Sequence, residues 1–344
     1  MNKNKKKKLN TIDKVIYLVN SFFAVILLLS FGVQFIRPSI SPFFSILSLS
    51  VPVLIVINLI FCIYWISMLK KQFIVSFFVL FIGYSQINSF FKISNNINRV
   101  SDNNISIMSY NVRLFNLYQW IKVDNIGLKI QNLINEHSPD VVSLQEYTSN
   151  DIFHLNSYPY NHFSISDGIK NNGLAFYSKL PIVSSGILKS KNININAIYI
   201  DVLKNNDTLR FYNIHLKSFK FESKLKSIDS NNSDKLINLL DDTFKVQENQ
   251  AVYISNHIKN SPYKVVISGD LNNTAYSYVY RLLKDDLKDS FVESGSGFGR
   301  TYNFKYFPMR IDFILVDQNF RINKFETLEE NFSDHFPIIS IFNL

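Results

Sequence analysis

Hydrophobic and polar positions divide this chain into two unlike parts. Between residues 12 and 91, Phe, Ile, Leu and Val dominate in three runs, at about 15–36, 43–69 and 73–91. The first two reach the ~20 residues a helix needs to cross a ~30 Å hydrocarbon layer. The link between them carries Pro38 and Pro42, which break helices and predict a hairpin. The third run turns polar at Ser85, Gln86, Asn88 and Ser89 and is read as a third, weaker crossing. From about residue 104 the pattern becomes short apolar runs separated by Asn, Asp, Gly and Ser clusters. Strands are expected at 105–110, 141–145, 174–178, 195–203, 209–215, 264–268, 311–316 and 338–342. Helical periodicity appears at 126–136 and 244–259. The mixture predicts an α/β domain whose sheets are buried under helices. Residues 95–104 are polar and Asn-rich, without a usable period. The expected organisation is a basic cytoplasmic tail with about three transmembrane helices over 1–92, a linker over 93–103 and a folded domain over 104–344.

Charge sharpens this division. Of the net +9, residues 1–72 carry +8, from nine Lys or Arg against Asp13 alone. Residues 103–344 balance 25 basic against 25 acidic side chains. A strongly basic face for duplex nucleic acid is therefore not expected on the folded domain. The lysines at 3–8 and the Lys70-Lys71 pair flank the spans and place both of those ends in the cytoplasm. A third crossing then puts everything after residue 92 outside, in an integral protein of the cytoplasmic membrane; without that crossing the folded domain is cytoplasmic. The first run is too long for a signal peptide and no small-residue cleavage site follows it. The single cysteine, Cys62, lies in an apolar run, so neither an intrachain disulfide nor a thiolate metal site is available.

Polar residues recur where the predicted strands end. Asn111 follows the first, Gln145-Glu146 the second, His215 closes another, Gly269-Asp270-Leu271-Asn272 follows the next, and Arg310-Ile311-Asp312 opens a later one; Ser333-Asp334-His335 precedes the last. Strand ends are held by a rigid sheet yet face a crevice, where sites in α/β folds gather. In this order the motifs resemble the endonuclease/exonuclease/phosphatase superfamily, over roughly 103–344. Gly173 to Ile182 also matches the strand pair usual between the glutamate and the later motifs. The resemblance implies a four-layer α-β-β-α sandwich and metal-assisted hydrolysis of phosphodiester or phosphomonoester bonds.

It also implies roles. Glu146 would be the metal ligand with Asn111 beside it, and Asp334 would bind a second metal or tune His335. His335 would contact a phosphoryl oxygen or transfer a proton, oriented by Asp312. Asp270 would orient or deprotonate the attacking water, Asn272 would donate to the transition-state oxyanion, and His215 would assist the phosphate or leaving group. A carboxylate and amide set without cysteine selects a hard ion, Mg²⁺ or Mn²⁺. The Gly-rich stretch 295–302 leads into a strand and is read as a substrate-side rim. Arg300 and Arg310 are its candidate phosphate contacts, and Tyr302, Tyr306 and Phe307 are aromatics expected to stack on a base, to line a lipid face or simply to pack. The expected partners are the membrane, through the N-terminal helices, and a phosphoester substrate, with nucleic acid and phospholipid both open. The alternatives are a binding module that kept the fold without its chemistry, or a membrane unit with the domain as accessory. The first predicts loss of Glu146, Asp270, Asn272 or His335, and all four are present. The second predicts ionisable residues within the spans, whose cores hold none.

Overall fold

The computed structural model describes residues 9–93, 103–148, 153–165, 172–219, 233–304 and 307–343. The lysines at 3–8, Tyr306 and nearly all of the expected linker lie outside these residues.

Helix α1 (Thr11–Ser30) starts at a capping box, in which Asn10 and Asp13 exchange backbone and side-chain hydrogen bonds of 2.7 and 3.2 Å. Helix α2 (Pro42–Ser67) follows, and both helices are long and apolar enough to cross a membrane. Their polar residues meet one another and Ser76 of the third apolar run. Asn20 donates to Ser76 Oγ at 2.6 Å, Ser76 donates to Asn58 at 3.1 Å, and Trp65 Nε1 donates to Asn20 Oδ1 at 2.8 Å. The third apolar run is not one long helix. It forms α3 (Phe73–Ile82) and α4 (Tyr84–Asn88), broken at Gly83. The ring of Phe31 occupies the space that a Cβ on Gly83 would need, 2.2 Å away.

The end of this run docks on the α/β body, so the expected linker is preceded by a held segment rather than a free tether. Phe90 stacks on Phe307 with 5.5 Å between ring centroids. Lys92 and Gly297 exchange backbone hydrogen bonds of 2.9 and 2.8 Å. At the α1–α2 link, the Ser39 amide and hydroxyl donate to Glu248 at 2.8 and 3.1 Å.

Among the described residues the α/β body contains twelve strands. These are β1 (Asn104–Asn111), β2 (Val141–Tyr147), β3 (Tyr160–Ile165), β4 (Gly173–Ser178), β5 (Ile182–Ile187), β6 (Ala197–Lys204), β7 (Asp207–His215), β8 (Lys264–Asp270), β9 (Lys288–Asp289), β10 (Asp312–Val316), β11 (Arg321–Thr327) and β12 (Ile338–Asn343). They form two six-stranded sheets, ordered β11-β12-β1-β2-β4-β3 and β5-β6-β7-β8-β10-β9. The inward faces interlock through fully buried Ile107, Val141, Phe176, Ile200, Phe211, Val266 and Ile314. Helix α5 (Ile126–His137) covers the outer face of the first sheet with Ile130 and Ile134. Helices α6 (Ser233–Lys259) and α7 (Tyr278–Lys284) cover the second with Ala251, Ile254 and Val279. This is the expected four-layer α-β-β-α sandwich; a short helix α8 (Ser290–Ser294) lies between β9 and β10.

One glycine is dictated by the pairing of β7 with β8. Gly269 lies opposite Ile214 at a φ of +141°, and a Cβ there would fall 1.9 Å from the Ile214 carbonyl oxygen. Gly269→Ala should lower the thermal midpoint by roughly 6–12 °C, from about 3 kcal/mol of backbone strain and displacement. Scanning calorimetry of the variant checks this.

Candidate active site

The polar strand ends meet at one edge of the sandwich. Parallel strands β1 and β2 deliver Asn111 and Glu146 from the first sheet. Parallel strands β7 and β8 deliver His215 opposite Asp270 from the second, and antiparallel β10 places Asp312 on the other side of Asp270. His335 enters from the segment before β12. Glu146 sits at a bulge of β2 with a left-handed φ of 47°, which turns its side chain out of the strict alternation of the strand.

Asp270 is the hub. Its Oδ1 accepts from the Asn272 amide at 2.7 Å, and its Oδ2 from the Asn111 and Asn272 side chains at 3.1 and 3.2 Å. The Nε2 atoms of His215 and His335 both lie 3.7 Å from Oδ2, and His215 Nε2 lies 3.8 Å from Glu146 Oε1. These separations are too long for hydrogen bonds, so four groups ring a gap that a substrate atom or ion would fill.

The far side of each histidine is fixed. Both Asp312 oxygens face His335 Nδ1, at 2.9 and 3.1 Å. The Asn196 side-chain amide lies 3.2 Å from His215 Nδ1. With that amide donating, the proton of neutral His215 sits on Nε2 and points into the gap. Among the described residues this buried Nε2 has no hydrogen-bond partner.

Burial pushes the Asp270 carboxyl up to about 6, against the pull of the neighbouring imidazole of His335. Burial opposes charge on His335 too, but the Asp312 and Asp270 carboxylates outweigh it and hold the imidazolium up to about 10. Near neutral pH the gap therefore has an ionised carboxylate on one side and a cationic donor on another.

The donor set fits a divalent cation. Asp270, Asp312 and His335 offer ligand atoms within 4.8 Å of one another. However, Asp312 is engaged with His335 Nδ1 on the side away from the gap. The oxygens left facing the gap are those of Glu146 and Asp270, beside the Asn111 amide, and hard oxygen donors of this kind suit Mg²⁺ or Mn²⁺. The orphaned His215 Nε2 and the part-exposed Glu146 carboxylate mark the open side.

Several expected residues have other duties. Asn272 Nδ2 donates to the Leu216 carbonyl at 3.0 Å as well as to Asp270, so it braces Asp270 instead of standing free for an oxyanion. Asp334 pairs with Arg113 at 3.1 Å, which offsets the charge a second metal would need. Arg310 is a correction. It is buried, donating to Asp289 at 2.7 Å and to the Ser89 carbonyl at 3.2 Å, so its terminal nitrogens belong to the docking of α4 and do not reach a phosphate. Tyr302 is at the site, bridged to His335 through the backbone, with its ring 4.9 Å from the imidazole. Arg300 bonds Asn303 and lies over Phe336 at 4.8 Å.

Three supports carried no motif. Asn196 holds His215, Arg113 pairs with Asp334, and Thr301 Oγ1 accepts from the amides of Ile311 and Asp312 at 3.0 and 3.1 Å. A polar strand-flanking residue at 196 was the only visible sign of the first.

Residues 108–335 match the endonuclease/exonuclease/phosphatase family, and the chain belongs to that family of divalent-metal-dependent hydrolases acting on phosphoester bonds. Residues 13–90 match a separate domain family of unknown function. No curated protein matches the chain by sequence. Among solved structures, a humanised D. rerio TDP2 is similar at 18% identity and a TM-score of 0.54, covering 71% of this chain and 100% of its own. A D. rerio TDP2 complexed with a single-strand DNA product gives 18% and 0.53 over the same shares. A Bacteroides thetaiotaomicron mannosyl-6-phosphatase gives 17% and 0.52, over 70% of this chain and all of its own. At these identities the likeness is one of fold.

Proposed function

We propose that this chain is a membrane-anchored phosphoester hydrolase in which water is activated by Asp270 and the phosphoryl group is held by His215 and His335. The observation that carries this reading is the ring of Glu146, Asp270, His215 and His335 around one gap, with no hydrogen bond closing it. Asp270, poised near 6, accepts a proton from water at neutral pH, while Asn111 and Asn272 fix its oxygens. His335, kept cationic and aimed by Asp312, donates from Nε2 to a phosphoryl oxygen whose charge grows in the transition state. His215 donates from its own Nε2, held in that tautomer by Asn196. Glu146, beside Asp270, would hold Mg²⁺ or Mn²⁺, which would supply charge neutralisation at the phosphate, while Asn111, its Oδ1 accepting from the Arg113 amide, braces Asp270 through Nδ2.

The anchor reading rests on α1 and α2. Lys70 pairs with Asp13 at 2.5 Å, so the basic end of the hairpin gathers at one pole. Ser39 and Glu248 join the opposite pole to the α/β body. With the basic pole in the cytoplasm, the catalytic body lies on the extracytoplasmic side, an argument that does not depend on the length of α3.

The test is hydrolysis by the full chain in detergent, on plasmid DNA, an RNA oligonucleotide, a phospholipid and p-nitrophenyl mono- and diesters. Turnover of at least one substrate with Mg²⁺ or Mn²⁺ is expected, abolished by EDTA and restored by excess metal. Equal turnover in EDTA, or none on any substrate from a folded sample, contradicts the proposal.

A further inference from the structure

The catalytic body and the helices enclose an apolar cavity of about 90 Å³ between them. One wall is α2, through Leu49, Pro52 and Val53. A second is the Thr274–Tyr276 stretch, two residues beyond the Asn272 that braces Asp270. The third is Phe304, Phe307 and Met309, from the strip whose Tyr302 pairs with both Met309 and His335. The loops that shape the cavity are thus continuous with those that carry the site.

The sequence of α2 helps to build this junction. Pro52 lacks an amide hydrogen, which leaves the Ser48 carbonyl without its helical donor, and the Thr274 hydroxyl reaches that carbonyl at 3.4 Å. Tyr276 closes a second contact, its hydroxyl donating to the Gln86 carbonyl at 3.0 Å. The cavity opens beside side chains that face outward. Val53, Phe298 and Phe304 are each more than 40% exposed, and Val53 lies two turns from exposed Ile60 on the outward stripe of α2. At its floor Arg310 is buried with an Nε–H that has no partner among the described residues.

An apolar cavity between a candidate membrane helix and the chain segments that lead to Asn272 and Tyr302 fits an amphiphile and not a nucleotide. We propose that it receives the tail segment next to the headgroup of a lipid-linked phosphoester, whose ester then lies at Asp270 and His335. This rests on the phosphoester reading of the site and names its substrate class. A cavity of about 90 Å³ takes on the order of a few methylene-sized groups, and the rest of the tail stays in the bilayer. The aromatic wall suits an alkyl or unsaturated chain equally.

The experiment uses the full chain in phosphatidylcholine nanodiscs with p-nitrophenyl phosphodiesters whose second ester is methyl or hexadecyl. Val53→Trp and, separately, Met309→Trp fill the cavity. Each should leave kcat/KM on the methyl ester within about twofold and lower it on the hexadecyl ester by roughly 10- to 60-fold, the worth of about three buried methylenes. The methyl ester reports folding in both variants. Partitioning of the long chain into the disc is the same for all three proteins, so an unchanged hexadecyl rate in both variants overturns the proposal. Faster hydrolysis of a DNA oligonucleotide than of the hexadecyl ester also overturns it. In parallel, a hexadecyl phosphodiester with a diazirine in its first methylenes is crosslinked in EDTA. Labelling is expected on the peptides holding Leu49–Val53 and Phe304–Met309, and labelling elsewhere overturns the proposal. Labelling there without turnover of either ester would instead sink the hydrolase reading, and with it the claim that the bound amphiphile is a substrate.

Discussion

His335→Ala should lower turnover by about 10³- to 10⁴-fold, with KM changed far less. The substitution removes the cationic donor that Asp312 aims into the gap, and a preorganised donor of this kind is worth more in the transition state than in the ground state. Asp312→Asn should cost about 10²-fold or more, because it weakens the charge on His335 and leaves the ring less firmly oriented. A second readout separates this from a packing role. The folded protein holds the His335 proton up to about 10, against an ordinary value of 6.5. The stability this contributes is fully present below 6.5 and is lost as pH rises through 10. In EDTA the wild-type thermal midpoint should therefore fall between pH 6.5 and 10, and His335→Ala should flatten that slope. A variant that keeps wild-type turnover, or the full slope, would remove His335 from its assigned role.

Asp270→Asn is the second large effect, expected at about 10³-fold in kcat, within the range for loss of a positioned base. The amide keeps the size of the carboxylate and one oxygen for the Asn272 amide, but it has no basic oxygen for the water. Asp270→Glu should not recover activity, because the Asn111 and Asn272 side chains pin the carboxylate at its present length. Single-turnover kinetics with saturating metal would show the loss in the chemical step. Recovery by glutamate would indicate a looser role than the hydrogen bonds suggest.

Sequence pattern made the buried half of this fold legible. Every central strand of both sheets was predicted to within about two residues, because strands such as β4 and β8 read as apolar runs closed by turn formers. The unpredicted strands β3, β9 and β11 all lie at sheet edges, as does β5 beyond its first residue. β3 alternates between exposed and half-buried positions, and β9 has two residues. Edges bury one side only, so their composition approaches that of loops. The site was legible for a related reason: strand ends carry Asn111, Glu146, His215, Asp270 and Asp312 in sequence as in space. What escaped was side-chain commitment. Nothing around Arg310 announces that Asp289, Phe291 and Ser89 enclose it, since those partners are 19 to 221 residues away. The docking of α4 escaped likewise, because Gln86 and Ser89 contribute backbone carbonyls to it, which any residue supplies. Their polarity read as the fading of a span, and in the fold it marks the contact with the catalytic body.

Hydrolysis by this site requires a divalent ion held at the Glu146 side of the gap. Its most direct test is Mn²⁺ binding to the detergent-solubilised full chain, followed by electron paramagnetic resonance, in wild type and in Glu146→Gln. Wild type should bind Mn²⁺ saturably, and the variant should lose about 10-fold or more in affinity with its fold retained by circular dichroism. Equal affinity in the two proteins, or no binding to folded wild type, would contradict it.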